Sequence, residues 1–275
     1  MLRFFSLTYV VTWTCFVVVI ALSGSSPSFV SSFSVLRTPL LILGTFAPSL
    51  VAFGLTARVE RVAGMQVLLR RAFEWPSALR WYLFAVGYLV AIKLAVVVVH
   101  RLLAGAWPRF GTEPWYFIAV AIVISTPVQA GEEIGWRGYA LPRLAARMGL
   151  ARASLLLGLI WACWHLPLFF VPGLNQYGQS FPLFALGGIA LSVAIAWLYA
   201  HTEGSVGMAM LMHSAVNQTT GIVPTNVPGA TNPLALSSSL VAWLFIALLW
   251  MSAAYFLVKM RKLETRAGDQ HAVAV

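Results

Sequence analysis

Residues 115–140, WYFIAVAIVISTPVQAGEEIGWRGYA, decide how the rest of the chain is read. The stretch opens as an apolar run suited to a membrane and then carries two adjacent carboxylates, Glu132 and Glu133, with Arg137 four residues after the second. The whole chain owns only eight acidic residues. An ionisable side chain at membrane depth costs roughly 3 kcal/mol or more, so two side by side mark a functional site by default. Working outward, the composition agrees: 60% of residues are hydrophobic, 9% are charged and the mean hydropathy is +0.84, whereas a soluble domain carries about a quarter charged residues. The expected class is all-α, a polytopic membrane helical bundle.

The net charge of +10 does not point to nucleic acid, because the basic residues lie between apolar runs and not in one stripe. That distribution fits anionic headgroups and positive-inside topology. Cys15 and Cys163 both sit inside apolar runs, so neither a disulfide framework nor a metal quartet is expected, and redox compartment is not legible.

Eight runs approach the roughly 20 residues a crossing helix needs: about 4–22, 39–57, 80–99, 114–131, 153–171, 182–200, 205–223 and 236–258. The first has Arg3 in front and small residues behind, like a secretory signal. Its apolar core exceeds the usual limit of about 15 residues, which favours a retained helix. With both termini in the cytoplasm, Arg3, Arg58, Arg61, Arg70, Arg71, Arg80, Arg143, Arg147, Arg152, Lys259, Arg261, Lys262 and Arg266 gather inside, and only Arg37, Arg101 and Arg109 remain outside. The uncharged loops near 173–181 and 224–235 then lie outside. Residues 58–80 read as an amphipathic cytoplasmic connector, with Val62, Met65, Leu68, Leu69 and Phe73 spaced among arginines. The chain is thus a single membrane domain over 1–275, with a polar, mobile tail at 263–275 and a catalytic core over about 110–220.

Two further polar clusters lie in apolar runs. His165 ends the sequence Trp161-Ala162-Cys163-Trp164-His165, and His213 and Asn217 stand four apart on one helix face. At 1.5 Å per residue, Glu132 is roughly 16 Å from Arg143, His165 roughly 20 Å from Arg152 and His213 roughly 15 Å from Glu203. These near-equal depths predict one water-filled cavity on the inner side of the bundle, open to the cytoplasm. Glu133 and Arg137 form an i, i+4 pair in the favourable order and are assigned mainly to holding the site. Glu132 points about 100° away and has no local partner, so it is assigned to catalysis, with an exchange of roles between the two glutamates left open.

A carboxylate, two histidines and an amide suffice for peptide-bond hydrolysis. The carboxylate takes a proton from water with a histidine sharing that water, while the second histidine and the asparagine face the oxyanion. The same Glu132, His165 and His213 also suit zinc with an open position for water, and the residues leave direct and metal-assisted activation both open. Other membrane protease chemistries fail on their letters. The only aspartate is Asp269, no histidine is followed by glutamate, Gly24-Ser25-Ser26 lies in an expected external loop, and Cys163 and His165 face different directions. Lys93, mid-run in the third segment, is expected to snorkel or to pair with the polar cluster.

Glu132-Glu133-x-x-x-Arg137, an aromatic four residues before His165, and His213-x-x-x-Asn217, in this order, resemble the CPBP family of intramembrane proteases. That family includes the Ras-converting CAAX endopeptidase and bacterial bacteriocin-processing or immunity proteins. The resemblance covers roughly residues 110–220. It implies that Glu132 and His165 activate water and that His213 and Asn217 stabilise the transition state; the family is usually classed as metal-dependent, zinc being the candidate, and a glutamate mechanism without metal is also argued for it. Trp161 stands where the family often has phenylalanine. The expected function is endoproteolysis of a membrane-associated or cytoplasmically presented polypeptide, a CAAX-type tail or a leader or bacteriocin precursor, with the bilayer as the other partner and no oligomeric state specified. Fifteen arginines against three lysines, with the compact length, suit a bacterial plasma membrane and disfavour a CAAX substrate. The alternatives are a non-catalytic scaffold or immunity protein and, ranked lower, a transporter with a polar relay; the chain shows no repeated halves.

Overall fold

The computed structural model describes residues 1–23, 27–224 and 232–273, with side chains omitted for 27–34 and beyond Lys262; Gly24-Ser25-Ser26 lies outside the described residues. Among the described residues the regular elements are all helices. In order, α1 is Leu2–Ser23, α2 Pro27–Val59, α3 Arg61–Phe73, α4 Leu79–Ala104, α5 Trp115–Ser125, α6 Ala130–Glu133, α7 Leu141–Met148, α8 Leu150–Trp164, α9 Phe181–His201, α10 Val206–Gln218 and α11 Leu240–Val273. α5, α6 and α7 run on through short 3₁₀ and π segments as one membrane-length element from Trp115 to Met148.

Among the described residues, seven elements are long and apolar enough to cross a membrane. The protein is an integral, multi-pass helical bundle. The eighth expected run, 205–223, behaves differently. It yields α10, whose 13 residues span only about 20 Å against a hydrocarbon core of about 30 Å. Every residue from Val206 to Ala215 is buried, so its apolar letters record packing inside the bundle and not lipid contact. Composition alone does not separate those two environments.

Local chemistry sets the element ends. Gly105 adopts a left-handed φ of 69° and returns its N–H to Arg101, ending α4. Gly149, at φ 79°, turns the chain between α7 and α8. Glu203 and Gly204 (φ 55° and 82°) reverse it after α9, and Ser205 Oγ caps α10 by accepting from Met208 N at 3.1 Å. α8 and α9 approach closely because a side chain at Gly158 would strike the Ile189 backbone at 2.8 Å.

The bundle has two distinct ends. At one, Arg143 meets Glu60 at 2.7 Å, Arg71 donates to Tyr199 Oη at 3.0 Å, and Ser205 Oγ donates to the Glu74 carbonyl. At the other, Arg37 donates to the Pro172 carbonyl at 2.6 Å, Gly111 N to Ile222 O at 3.0 Å, and Phe181 N to Pro233 O at 2.8 Å. The connectors expected to gather inside form the first end; the loop at 173–181 expected outside lies at the second, and residues 225–231 of the other expected loop lie outside the described residues.

Candidate active site

The site begins in a distorted helix. Between α5 and α7 the backbone tightens to 3₁₀ over Thr126–Gln129, makes the single turn α6, and widens to a π segment over Ile134–Ala140. Such interruptions recur at functional sites because they shift which face each side chain occupies. α2 braces this one: Ser49 Oγ donates to the Ala130 carbonyl at 2.6 Å and accepts from Gly135 N at 3.2 Å. A side chain at Gly135 would lie 2.4 Å from the Pro48 carbonyl carbon, so only glycine admits the contact.

The turn holds the two carboxylates against different partners. Glu133 is completely buried, with Oε1 accepting from Arg137 Nη1 at 2.8 Å and from His213 Nδ1 at 2.8 Å. Glu132 keeps 9% of its side chain accessible, as does His165, whose Nε2 stands 4.0 Å from Glu132 Oε2. The i, i+4 pairing of Glu133 with Arg137 is as expected. That Glu133 also orients His213 was not legible, because the contact joins residues 80 positions apart.

Trp161 on α8 ties these groups together. Its indole N–H donates to Glu132 Oε2 at 2.7 Å, and its carbonyl accepts from His165 Nδ1 at 2.8 Å. The Arg137 guanidinium lies 4.7 Å from its ring centroid, and both histidine rings meet it edge-on at 5.3 and 5.2 Å. At this position the motif asks only for an aromatic. Phenylalanine would supply the ring and the backbone carbonyl but not the N–H.

Trp161, His165, His213 and Asn217 line one cavity of about 630 Å³. Asn217 sits a turn beyond His213 on α10 and is exposed. Its side chain belongs to the cavity wall and not to the buried knot. The cavity emerges among Asn175, Gln179, Ser180, Thr220 and Pro224, at the loop end. This corrects the expectation of a cavity on the inner side: a mouth facing the cytoplasm and arginine-rich connectors in the cytoplasm cannot both hold, since they mark opposite ends. The depths of about 15–20 Å counted from the arginine end were already half or more of a core of about 30 Å, which is the middle of the bundle.

The trio Glu132, His165 and His213 does not fit a three-ligand zinc centre. Among the described residues no three His, Cys, Asp or Glu side chains form a group that could hold an ion.

Lys93 neither snorkels to solvent nor pairs with the acidic cluster. It is 1% exposed, lines the same cavity, and reaches the Val223 carbonyl at 3.4 Å.

Comparison with known proteins bears out the resemblance drawn from these motifs. Residues 112–219, which contain all six singled-out residues from Glu132 to Asn217, match the family model described as Type II CAAX prenyl endopeptidase Rce1-like. The chain is also 25% identical over 230 residues to the CAAX prenyl protease 2 of Methanococcus maripaludis, covering 78% of this chain and 81% of that relative.

Proposed function

We infer that this chain, similar across its site to the type II CAAX prenyl endopeptidases, is a membrane endopeptidase that hydrolyses a peptide bond of a membrane-associated polypeptide. The observation that carries the reading is the pair Glu132 and His165, facing each other at 4.0 Å and both held by Trp161 beside a cavity. A gap of that length suits one water bonded to both groups.

The hydrogen bonds define what each group does. A carbonyl only accepts, so His165 Nδ1 carries a proton and the neutral ring presents a lone pair at Nε2 toward Glu132. His165 Nε2 accepts one water proton in a hydrogen bond and orients the molecule. Glu132 takes the other proton as the water oxygen adds to the scissile carbonyl carbon. The carbon–nitrogen bond then breaks, and the proton held by Glu132 passes to the leaving nitrogen. His213, with Nδ1–H on the Glu133 carboxylate, donates from Nε2 in its imidazolium form to the oxyanion, and the Asn217 amide is a second donor. Glu133 and Arg137 position His213 and Trp161. No step needs a metal.

The substrate class follows from the names of the relatives, a polypeptide with a prenylated C-terminal tail; a leader or bacteriocin precursor is the second class. Charge asymmetry assigns the arginine end and both termini to the cytoplasmic face of a bacterial plasma membrane, which turns the mouth to the opposite face.

Purified protein and a fluorogenic peptide library test the assignment. Glu132→Gln and His165→Ala should each lower kcat/KM roughly a thousandfold while thermal stability is kept. Equal cleavage by all three proteins removes the catalytic reading and leaves a scaffold. Chelator treatment should leave the wild-type rate unchanged; loss of activity that zinc restores transfers water activation to a metal.

A further inference from the structure

We propose that Lys93 forms a carboxylate-binding subsite in the cavity, and that its ligand is the free C-terminus of an apolar peptide. The lysine lies in the middle of α4, outside the stretch that matches the family model, and the catalytic scheme does not use it. Its side chain is almost wholly buried, at 1% exposure. A buried ammonium needs a counter-charge or several acceptors to offset lost hydration. Its contacts are one long hydrogen bond, 3.4 Å to the Val223 carbonyl, and the Phe245 ring with its centroid at 5.6 Å. Among the described residues none of the ion pairs involves it. An ammonium has three donors, so this one offers unfilled capacity on the wall of a cavity that His165 and His213 also line.

The surrounding surface limits the ligand. Leu183, Leu191, Phe245 and Ile246 line the same space, so the cavity accepts apolar side chains together with one anionic group. His213 on the same walls is already paired with Glu133, so among the described lining residues Lys93 is the cation without a carboxylate partner, and a multiply charged anion would exceed its charge. A carboxylate matches it one for one. Two sources present that group, a peptide C-terminus and an acidic side chain; a C-terminus puts the charge at the end of the chain, so the apolar side chains before it can pack on Leu183, Leu191, Phe245 and Ile246. The subsite deepens the endopeptidase reading by selecting chains that end close to the scissile bond, but binding can be measured whether or not cleavage occurs.

The test uses a dansylated apolar hexapeptide as the free acid, as the C-terminal amide, and as an amide with glutamate at its last position. Each is titrated into detergent-solubilised full-length protein and into Glu132→Gln, with fluorescence as the readout. The free acid should bind at least about tenfold more tightly than the amide, as loss of one charge-assisted contact implies. Lys93→Met should weaken the acid to the level of the amide, while Lys93→Arg keeps the preference. If the glutamate-bearing amide recovers the affinity, the subsite stands and takes side-chain carboxylates as well. Equal affinity for acid and amide in the unmodified protein overturns the proposal, as does Lys93→Met weakening both peptides in parallel, which marks a structural role. Failure of cleavage with this preference intact would count against the protease reading and not against the subsite.

Discussion

Two arginine–glutamate pairs of nearly equal length sit at different places in this bundle, and their surroundings differ completely. Arg143 and Glu60 meet at 2.7 Å at the arginine end with 35% and 47% of their side chains accessible; Arg137 and Glu133 meet at 2.8 Å in the middle with none accessible. An exposed pair is screened by water, and its contribution to stability is about 0–1 kcal/mol. A buried pair is not a net source of stability either, because desolvation offsets the attraction; what it resists is the loss of one partner. The arginine end therefore serves orientation and solubility, where individual charges are replaceable. The middle uses the same chemistry to hold His213 and Trp161 in fixed geometry, where no member is replaceable.

The sharpest test of that contrast is topological, because its outcome is all or none. In a background lacking Cys15 and Cys163, a membrane-impermeant maleimide added to intact cells should label Asn175→Cys at the mouth and spare Arg147→Cys at the arginine end. The reverse pattern places the mouth in the cytoplasm and breaks the charge-based orientation. Next in size, Arg137→Met removes one partner of the buried pair and should cost about 3–5 kcal/mol of unfolding free energy, read from denaturant titration, together with most of the activity. Trp161→Phe keeps the ring and the carbonyl that holds His165 but deletes the N–H on Glu132. A loss of roughly tenfold in kcat with little change in KM is expected, in line with one charge-assisted hydrogen bond; a change in KM alone would reduce Trp161 to packing. Smallest of all, Glu60→Ala should shift stability by less than about 1 kcal/mol and leave kcat/KM within twofold, a change about the size of assay scatter. A large loss there would show that the two ends are coupled.

The sequence made the polar groups visible for a simple reason: in a chain this apolar, each carboxylate or histidine at membrane depth stands out against its neighbours. Glu132, Glu133, Arg137, His165 and His213 were all singled out that way, and the structure brings them into one cluster around Trp161. Trp161 was legible only as the motif's aromatic; its N–H contact with Glu132 was not, because nothing local reports where an indole N–H points. The π segment was equally hidden. One extra residue in a turn rotates everything after it by about 100°, and only the run of glycines at 131 and 135 hinted that α2 would press against that turn. Lys93 was conspicuous, but whether it would snorkel or turn inward depended on the helices packed around it.

Hydropathy and charge are sums over neighbouring residues, so the chain on its own settled that this is a membrane bundle, roughly where its crossings lie, and which side chains are too expensive to be idle. Burial, depth and direction are properties of packing between segments distant in sequence. Tertiary structure therefore decided that α10, which carries the chain from the arginine end to the loop end, is an inner helix shielded from lipid, that the cavity emerges at the loop end, and that Glu133 is locked while Glu132 remains within reach of water.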